Sequence, residues 1–201
     1  MTIRMNHLLV FGPVAIVAWA IGTLLLVYFW PHLVNNVYKK AVVRQGVGEG
    51  PVPINTLYTE PQALFADPLH PPASASKLAT TGVNRDTLIV IGWLDLSSQP
   101  QVRRVPNFSG RYYSVQFTDP FNIDFAYVGT RATGTQAGDY LITGPGWKGQ
   151  VPPGMKRVSS QDNSVLVVGR ILVYSDSDLS TAHDLAKQIQ LAPLSTQQAN
   201  K

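Results

Sequence analysis

The positions of hydrophobic and charged residues divide the chain into an uninterrupted apolar run, a short amphipathic stretch and a longer region of alternating character. No charged residue occurs from Leu8 to Trp30, a run of 23 residues. A helix rises about 1.5 Å per residue, so this run is long enough to cross a hydrocarbon core of about 30 Å. It continues well beyond the small residues Ala18 and Ala20, which is too long for a signal peptide. We therefore predict an uncleaved transmembrane helix.

Aromatic and basic residues mark the far end of this predicted helix. Aromatic side chains favour the membrane–water interface, and lysines reach lipid phosphates. The segment 31–45 has apolar positions at helical spacing, with polar residues on its other side. This amphipathic helix either lies on the lipid headgroups or continues the membrane helix and packs on the domain that follows. The predicted anchor residues are Trp19, Tyr28, Phe29, Trp30, Lys39 and Lys40.

Beyond residue 81 the pattern changes to short segments in which apolar and polar positions alternate. Tyr113, Val115 and Phe117, for example, share one face of such a segment. Turns rich in glycine and proline separate these segments, which is typical of an antiparallel β-sandwich or jelly-roll-like domain. A short C-terminal helix follows, which we expect Ser177 and Asp178 to cap and Pro193 to end. The predicted strands are 87–94, 101–105, 112–118, 125–130, 139–143 and 164–173.

The boundaries of these regions follow from composition. Residues 46–53 are rich in glycine and proline and predict a linker, and four prolines between residues 61 and 72 exclude a long regular element there. The predicted fold is therefore mainly β, with one N-terminal transmembrane helix. Its predicted parts are an anchor (1–30), a juxtamembrane helix and linker (31–53), an irregular arm (54–80), the β-sandwich (81–194) and a polar tail (195–201).

Composition removes several classes of function. The chain has no cysteine, and its four histidines are scattered, so we expect neither a metal site nor a cofactor. The net charge is +4, but the basic residues form no stripe interleaved with aromatic residues. We therefore expect no nucleic-acid partner.

Two groups of polar residues could carry chemistry. Asp119 and Asp124 are candidate paired carboxylates for general acid–base catalysis, although carboxylates in such turns more often hold backbone amides. Arg111, Arg131 and Arg170 are candidates for binding an anionic ligand, with the alternative that they pair with aspartates inside the fold. Trp147 is a further ligand-binding candidate, unless the turn at Pro145 and Gly146 simply packs it against the edge of the sandwich.

Several motifs resemble those of a bacterial family called "domain of unknown function 1254". The resemblance covers about residues 84–194. It implies a β-sandwich, which in the family is often followed by a second sandwich of the "domain of unknown function 1214" type. The chain departs from the family at Ile89, where a tyrosine is frequent. The motifs are Asn84-Arg-Asp-Thr-Leu88, Trp93-Leu-Asp-Leu96, Arg111-Tyr-Tyr-Ser114, Gly129-Thr-Arg-Ala-Thr-Gly134 and Tyr140-Leu-Ile-Thr-Gly-Pro-Gly-Trp-Lys-Gly149.

The resemblance implies a fold but no activity. Because the companion domain does not follow the first one here, we expect a short membrane-anchored form that acts as an accessory or interaction subunit of a membrane or envelope assembly. Its partners would be the lipid bilayer and another protein, and a catalytic role is the less favoured expectation. The alternatives are an envelope hydrolase for a sugar or ester, with Asp119 and Asp124 in its site, and a carrier of lipids or small ligands.

The expected location is the bacterial inner membrane, crossed once. Lys39, Lys40 and Arg44 follow the apolar run, so the positive-inside rule alone would place the domain in the cytoplasm. Long domains translocate largely regardless of such charges, and the resemblance implies an outward location. We therefore expect the C-terminal domain to be periplasmic.

Overall fold

The computed structural model describes residues 2–46, 50–59 and 86–194 of the chain. Most of the predicted arm and the polar tail lie outside these residues. The helices are α1 (Thr2–Gln45) and α2 (Leu179–Lys187), and a 3-10 turn (Asp176–Asp178) precedes α2. The strands are β1 (Tyr58–Thr59), β2 (Thr87–Asp95), β3 (Gln101–Val105), β4 (Tyr113–Thr118), β5 (Asp124–Gly129), β6 (Gly138–Thr143), β7 (Met155–Ser159), β8 (Ser164–Leu172) and β9 (Gln190–Pro193).

The strands form two sheets. Sheet A has the order β1-β2-β8-β4-β5, and sheet B has the order β7-β6-β3-β9. All pairings are antiparallel except that of β6 with β7. The side chains between the sheets form the main hydrophobic core, and α2 adds Ala182 and Ala186 to it. The predicted mainly β sandwich is confirmed, and all six predicted strands are present within two residues at either end.

The C-terminal helix is shorter than the sequence pattern predicts. It ends at Lys187, and residues Gln190–Pro193 form β9, which pairs with β3. Ile189 is buried at helical spacing from the residues before it, so the pattern alone does not reveal where the helix ends. The predicted capping bond is also absent, because the Asp178 carboxylate accepts hydrogen bonds from Arg111 and from the backbone amide of Tyr174.

The first helix is continuous through both of its predicted parts. Pro31 lies inside α1, so residue 30 is not a helix boundary. The part from Gly12 to Gln45 contains an 18-residue window with a mean hydropathy of 2.0, none of it buried against the protein. It is therefore long and apolar enough to span a membrane. Gly46 ends the helix with a positive φ of 82°, and its amide bonds back to the carbonyls of Ala41 and Val42.

The C-terminal part of α1 packs on the outer face of sheet A. Val42 and Trp93 lie in a second hydrophobic cluster, with Tyr38 packed against it. Lys39 Nζ donates to the hydroxyl of Ser164 at 2.9 Å. Of the two expectations for this segment, the structure shows the second: it continues the long apolar helix and packs on the domain.

The predicted linker is partly a packed element. Val52 is only 2% exposed and belongs to the cluster beneath α1. Its amide bonds to the carbonyl of Val42 at 3.2 Å. Residues 50–53 therefore belong to the packed structure beside α1, where composition alone predicts a linker.

Candidate interaction site

The helix divides the outer face of sheet A into a covered part and an open part. One row of register partners, near one end of the strands, consists of Trp93 of β2, Leu166 of β8 and Thr118 of β4. In this row α1 covers Trp93 and Leu166. Four residues further along β8, Arg170 is exposed. Arg170 is the register partner of Ser114. The open part of the face therefore begins between Leu166 and Arg170.

A second arginine lies close to this open part. Tyr112 directly precedes β4, and Arg131 directly follows the turn residue Thr130 at the end of β5. The Arg131 guanidinium carbon is 5.8 Å from the centroid of the Tyr112 ring, a cation–π distance. Within the described ranges, neither Arg131 nor Arg170 forms an ion pair. We call the group Tyr112, Ser114, Arg131 and Arg170 the arginine surface.

Arg111 has a different role from its neighbours. Its side chain is 9% exposed, and its two terminal nitrogens lie 2.5 and 2.7 Å from the carboxylate oxygens of Asp178, which is 17% exposed. It also donates to the carbonyl of Leu172 at 2.7 Å. The bond to Arg111 lowers the pKa of Asp178 to about 2. This pair ties the start of α2 to β8 and β4, and it is the arginine–aspartate pairing that the sequence left as an alternative.

Trp147 lies apart from the arginine surface, in the loop between β6 and β7. The Arg157 guanidinium lies 5.1 Å from its ring centroid, and Arg157 Nε donates to Thr143 at 3.1 Å. The amide of Trp147 bonds to the carbonyl of Gly144, which closes the predicted turn. The four candidate ligand-binding residues therefore do not form one site. Arg131 and Arg170 border the same open face, whereas Arg111 and Trp147 make separate contacts.

The two candidate catalytic carboxylates hold the turn between β4 and β5. Asp119 accepts bonds from the backbone amides of Phe121 and Ile123, each at 2.9 Å. Asp124 accepts bonds at 2.6 Å from the hydroxyls of Thr118 and Tyr127. The bond to Asp124 raises the pKa of Tyr127. These contacts use the carboxylates to stabilise the turn, as such residues commonly do.

A buried polar cluster between the sheets was not predicted from sequence. Arg103 is 0% exposed, and its three guanidinium nitrogens have no hydrogen-bond partner among the residues that the structure describes. Among the same residues, the Gln101 side-chain carbonyl and the Tyr113 hydroxyl are also buried without a partner. Burial lowers the pKa of Arg103 to about 9 and raises that of Tyr113. These atoms are buried from solvent. The cluster therefore affects the stability of the fold and is not a candidate binding site.

The fold and the site define a class of protein: a mainly β sandwich carried by an N-terminal helix that is long and apolar enough to span a membrane. The chain belongs to the family described as "Protein of unknown function (DUF1254)", whose model matches residues 66–193, more than half of its length. The predicted family is thereby confirmed.

Comparison with solved structures supports this fold. The chain is similar to the VPA0106 protein from Vibrio parahaemolyticus, whose crystal structure aligns with a TM-score of 0.64 at 24% sequence identity. The alignment covers 86% of this chain and 38% of the other, so this chain spans well under half of the related protein's length. No curated protein matches the chain. The similarity supports a common fold and carries no activity.

Proposed function

We propose that this protein is a membrane-anchored accessory subunit that binds another protein through the arginine surface. The packing of α1 across sheet A is the observation that carries this proposal. A helix bonded and packed against the sheet holds the sandwich near the membrane in a constant orientation relative to the helix, which suits contact with a fixed partner. The two candidate catalytic carboxylates, by contrast, already stabilise a turn.

The chemistry of the open face indicates the kind of partner. Arg131 and Arg170 are exposed cations without an ion pair among the described residues, and a tyrosine ring lies beside Arg131. Arginine and tyrosine are enriched among the residues that dominate binding energy at protein interfaces. A guanidinium also binds a carboxylate with two parallel hydrogen bonds. We expect a partner that presents aspartate or glutamate side chains to this face.

The proposed location is the bacterial inner membrane, with the sandwich in the periplasm. Lys39 donates a hydrogen bond to Ser164 of the domain. This lysine therefore stabilises the folded structure, in addition to its effect on membrane topology. A cysteine introduced at the exposed residue Thr181 would test the orientation, because the natural chain has none. A membrane-impermeant thiol reagent should label it in cells whose outer membrane is opened. Labelling only after lysis would place the domain in the cytoplasm.

Purification from the native membrane tests the partner. The full-length protein would be isolated in mild detergent, and bound proteins identified and quantified by mass spectrometry. The test variant combines Arg131→Ala with Arg170→Ala. The control combines Lys148→Ala with Lys187→Ala, which removes the same charge from exposed positions outside the arginine surface.

We expect one stoichiometric membrane or envelope protein to accompany the wild type and the control. The arginine variant should lose it while keeping its own yield and fold. Recovery of the wild-type chain alone would refute the subunit function. Equal recovery of the partner with both variants would refute the arginine surface as its binding site.

A further inference from the structure

The turn between β4 and β5 lies beside the end of the apolar run in α1. The ring of Phe121 is 4.0 Å from that of His32 and 6.1 Å from that of Tyr28, measured between centroids. Asn35 Nδ2 donates to the carbonyl of Asp119 at 3.1 Å. The turn is therefore fixed to one short stretch of the helix, at and just beyond its cluster of aromatic residues.

These contacts set the height of the turn relative to the membrane. The uninterrupted apolar run ends at Trp30, so His32 lies about 3 Å further along the helix axis at a rise of about 1.5 Å per residue. The polar layer on each side of a bilayer is about 5–8 Å thick, since about 30 Å of a total of about 40–45 Å is hydrocarbon. A turn that contacts Tyr28 and His32 is consequently at the level of the lipid headgroups.

The direction of the helix across the sheet agrees with this placement. Along α1, Asn35 contacts the turn after β4, Lys39 contacts the first residue of β8, and Val42 packs against Trp93 of β2. Continued toward its N-terminus, the helix passes from β2 over β8 and β4 toward the side of the sheet where β5 is the edge strand. The membrane therefore lies on the β5 side of the sandwich.

The turn exposes apolar groups on this side. Ile123 is 60% exposed, and Tyr127 of β5 is 50% exposed. The turn contains no basic residue, and its two aspartates are bonded within the turn and to neighbouring strands. Attraction to anionic lipids cannot hold such a turn, but an isoleucine and a tyrosine are suited to the interface of a neutral membrane.

We propose that the β4–β5 turn, residues 119–124, is a second membrane contact, in which Ile123 enters the lipid interface beside α1. A helix can tilt in the bilayer, and the sandwich packed on it would tilt with it. A second contact beside the helix limits this tilt. It fixes which side of the sandwich faces the membrane.

A depth measurement with single spin labels tests this contact. The chain has no cysteine, so Ile123→Cys can be labelled alone. Thr181→Cys provides a matched control, because it is exposed on α2, which packs on β1 and β2 at the opposite side of sheet A. Leu26→Cys provides the value within the bilayer. Each full-length variant would be placed singly in phosphatidylcholine nanodiscs, and its collisions with oxygen and with a water-soluble nickel chelate measured.

We expect the label at Ile123 to collide with the nickel chelate several-fold less often than the label at Thr181. Its collisions with oxygen should approach those of the label at Leu26. Equal access of the nickel chelate at Ile123 and Thr181 would overturn the proposal. A label at Ile123 that is shielded from both reagents would also overturn it, because protein and not lipid would then cover the turn.

Discussion

Replacement of Arg103 by methionine should stabilise the protein. Arg103 extends from β3 into the space between the sheets, where one terminal nitrogen lies 3.7 Å from the position that a side chain at Gly169 would occupy. All three of its guanidinium nitrogens are buried without a partner in the described part of the chain. Methionine has a similar length, carries no charge and adapts its shape to irregular cores. The substitution therefore removes the buried charge and retains most of the packing.

The size of the effect follows from the desolvation of the guanidinium. Burial lowers the pKa of Arg103 to about 9. Relative to an ordinary value of about 12.5, this fall corresponds to a penalty on the order of 5 kcal/mol for keeping the charged form in the folded protein. Part of the gain is lost to imperfect packing, so we expect Arg103→Met to raise the free energy of unfolding by about 1–4 kcal/mol.

Urea titration of the full-length protein in mild detergent, followed by tryptophan fluorescence, measures this change. Arg170→Met is the matched control, since Arg170 is an exposed arginine of β8 and should alter stability by no more than about 0.5 kcal/mol. The wild type should also gain stability as the pH rises through about 9, because the unfolded chain holds the Arg103 proton more tightly than the folded one. The methionine variant should lack this gain. If Arg103→Met is less stable than the wild type by more than about 1 kcal/mol, the guanidinium has a favourable partner in solution and our reasoning is wrong.

Four further predictions concern the contacts that hold the domain together. Asp178→Asn should cost about 3–5 kcal/mol because it leaves Arg111 buried without its anion, whereas Asp184→Asn on the exposed side of α2 should change little; similar urea midpoints for the two variants would contradict this. The ion pair of Arg111 with Asp178 should also make the wild type lose stability at low pH, as the pH falls from 3.8, the ordinary pKa of the carboxyl, toward about 2. Asp178→Asn should not show this loss. Trp93→Ala should cost about 3–5 kcal/mol and speed hydrogen exchange in residues 38–45 of α1, with Val151→Ala as the control; unchanged exchange in both variants would show that the helix does not depend on this cluster. Gly129→Ala should destabilise the β4–β5 pair by about 1–3 kcal/mol, because its methyl group would lie 2.5 Å from the carbonyl oxygen of Tyr113; an unchanged urea midpoint would contradict it.

The strands of the sandwich were predictable because each carries a strong local pattern. In β4 the alternation of Tyr113, Val115 and Phe117 with polar residues matches the observed burial of one face. The strands that were missed lack such a pattern. β7 exposes Lys156 and Arg157 at the edge of sheet B, and β9 contains a proline and pairs with β3 alone among the described strands. Edge strands have few apolar contacts, so their sequences indicate little about where they pair.

The candidate residues could be named from sequence, but their grouping could not. Arg131 and Arg170 border one face only because β8 pairs with β4 and β4 pairs with β5, and such long-range pairings leave no local signal. Arg103 was missed for a related reason. The segment Gln101-Val-Arg-Arg-Val105 places one arginine on each face of a strand, and the sequence does not indicate which of the two faces the core.

The sequences of β2 and β8 indicate that another element covers the outer face of sheet A, but they do not indicate which element. β2 is apolar on both faces, since Leu88 and Val90 point into the core while Ile91 and Trp93 belong to the outer cluster. A strand that is apolar on both faces must be covered on both.

In β8 the outer positions change from leucine and valine at 166 and 168 to Arg170, so the cover ends between 168 and 170. Arg170 is thus the residue of β8 at which the open part of the face begins, because the outer side of the strand becomes charged there. For this reason a substitution at Arg170 tests the proposed partner surface, whereas one at Leu166 would disturb the packing of α1.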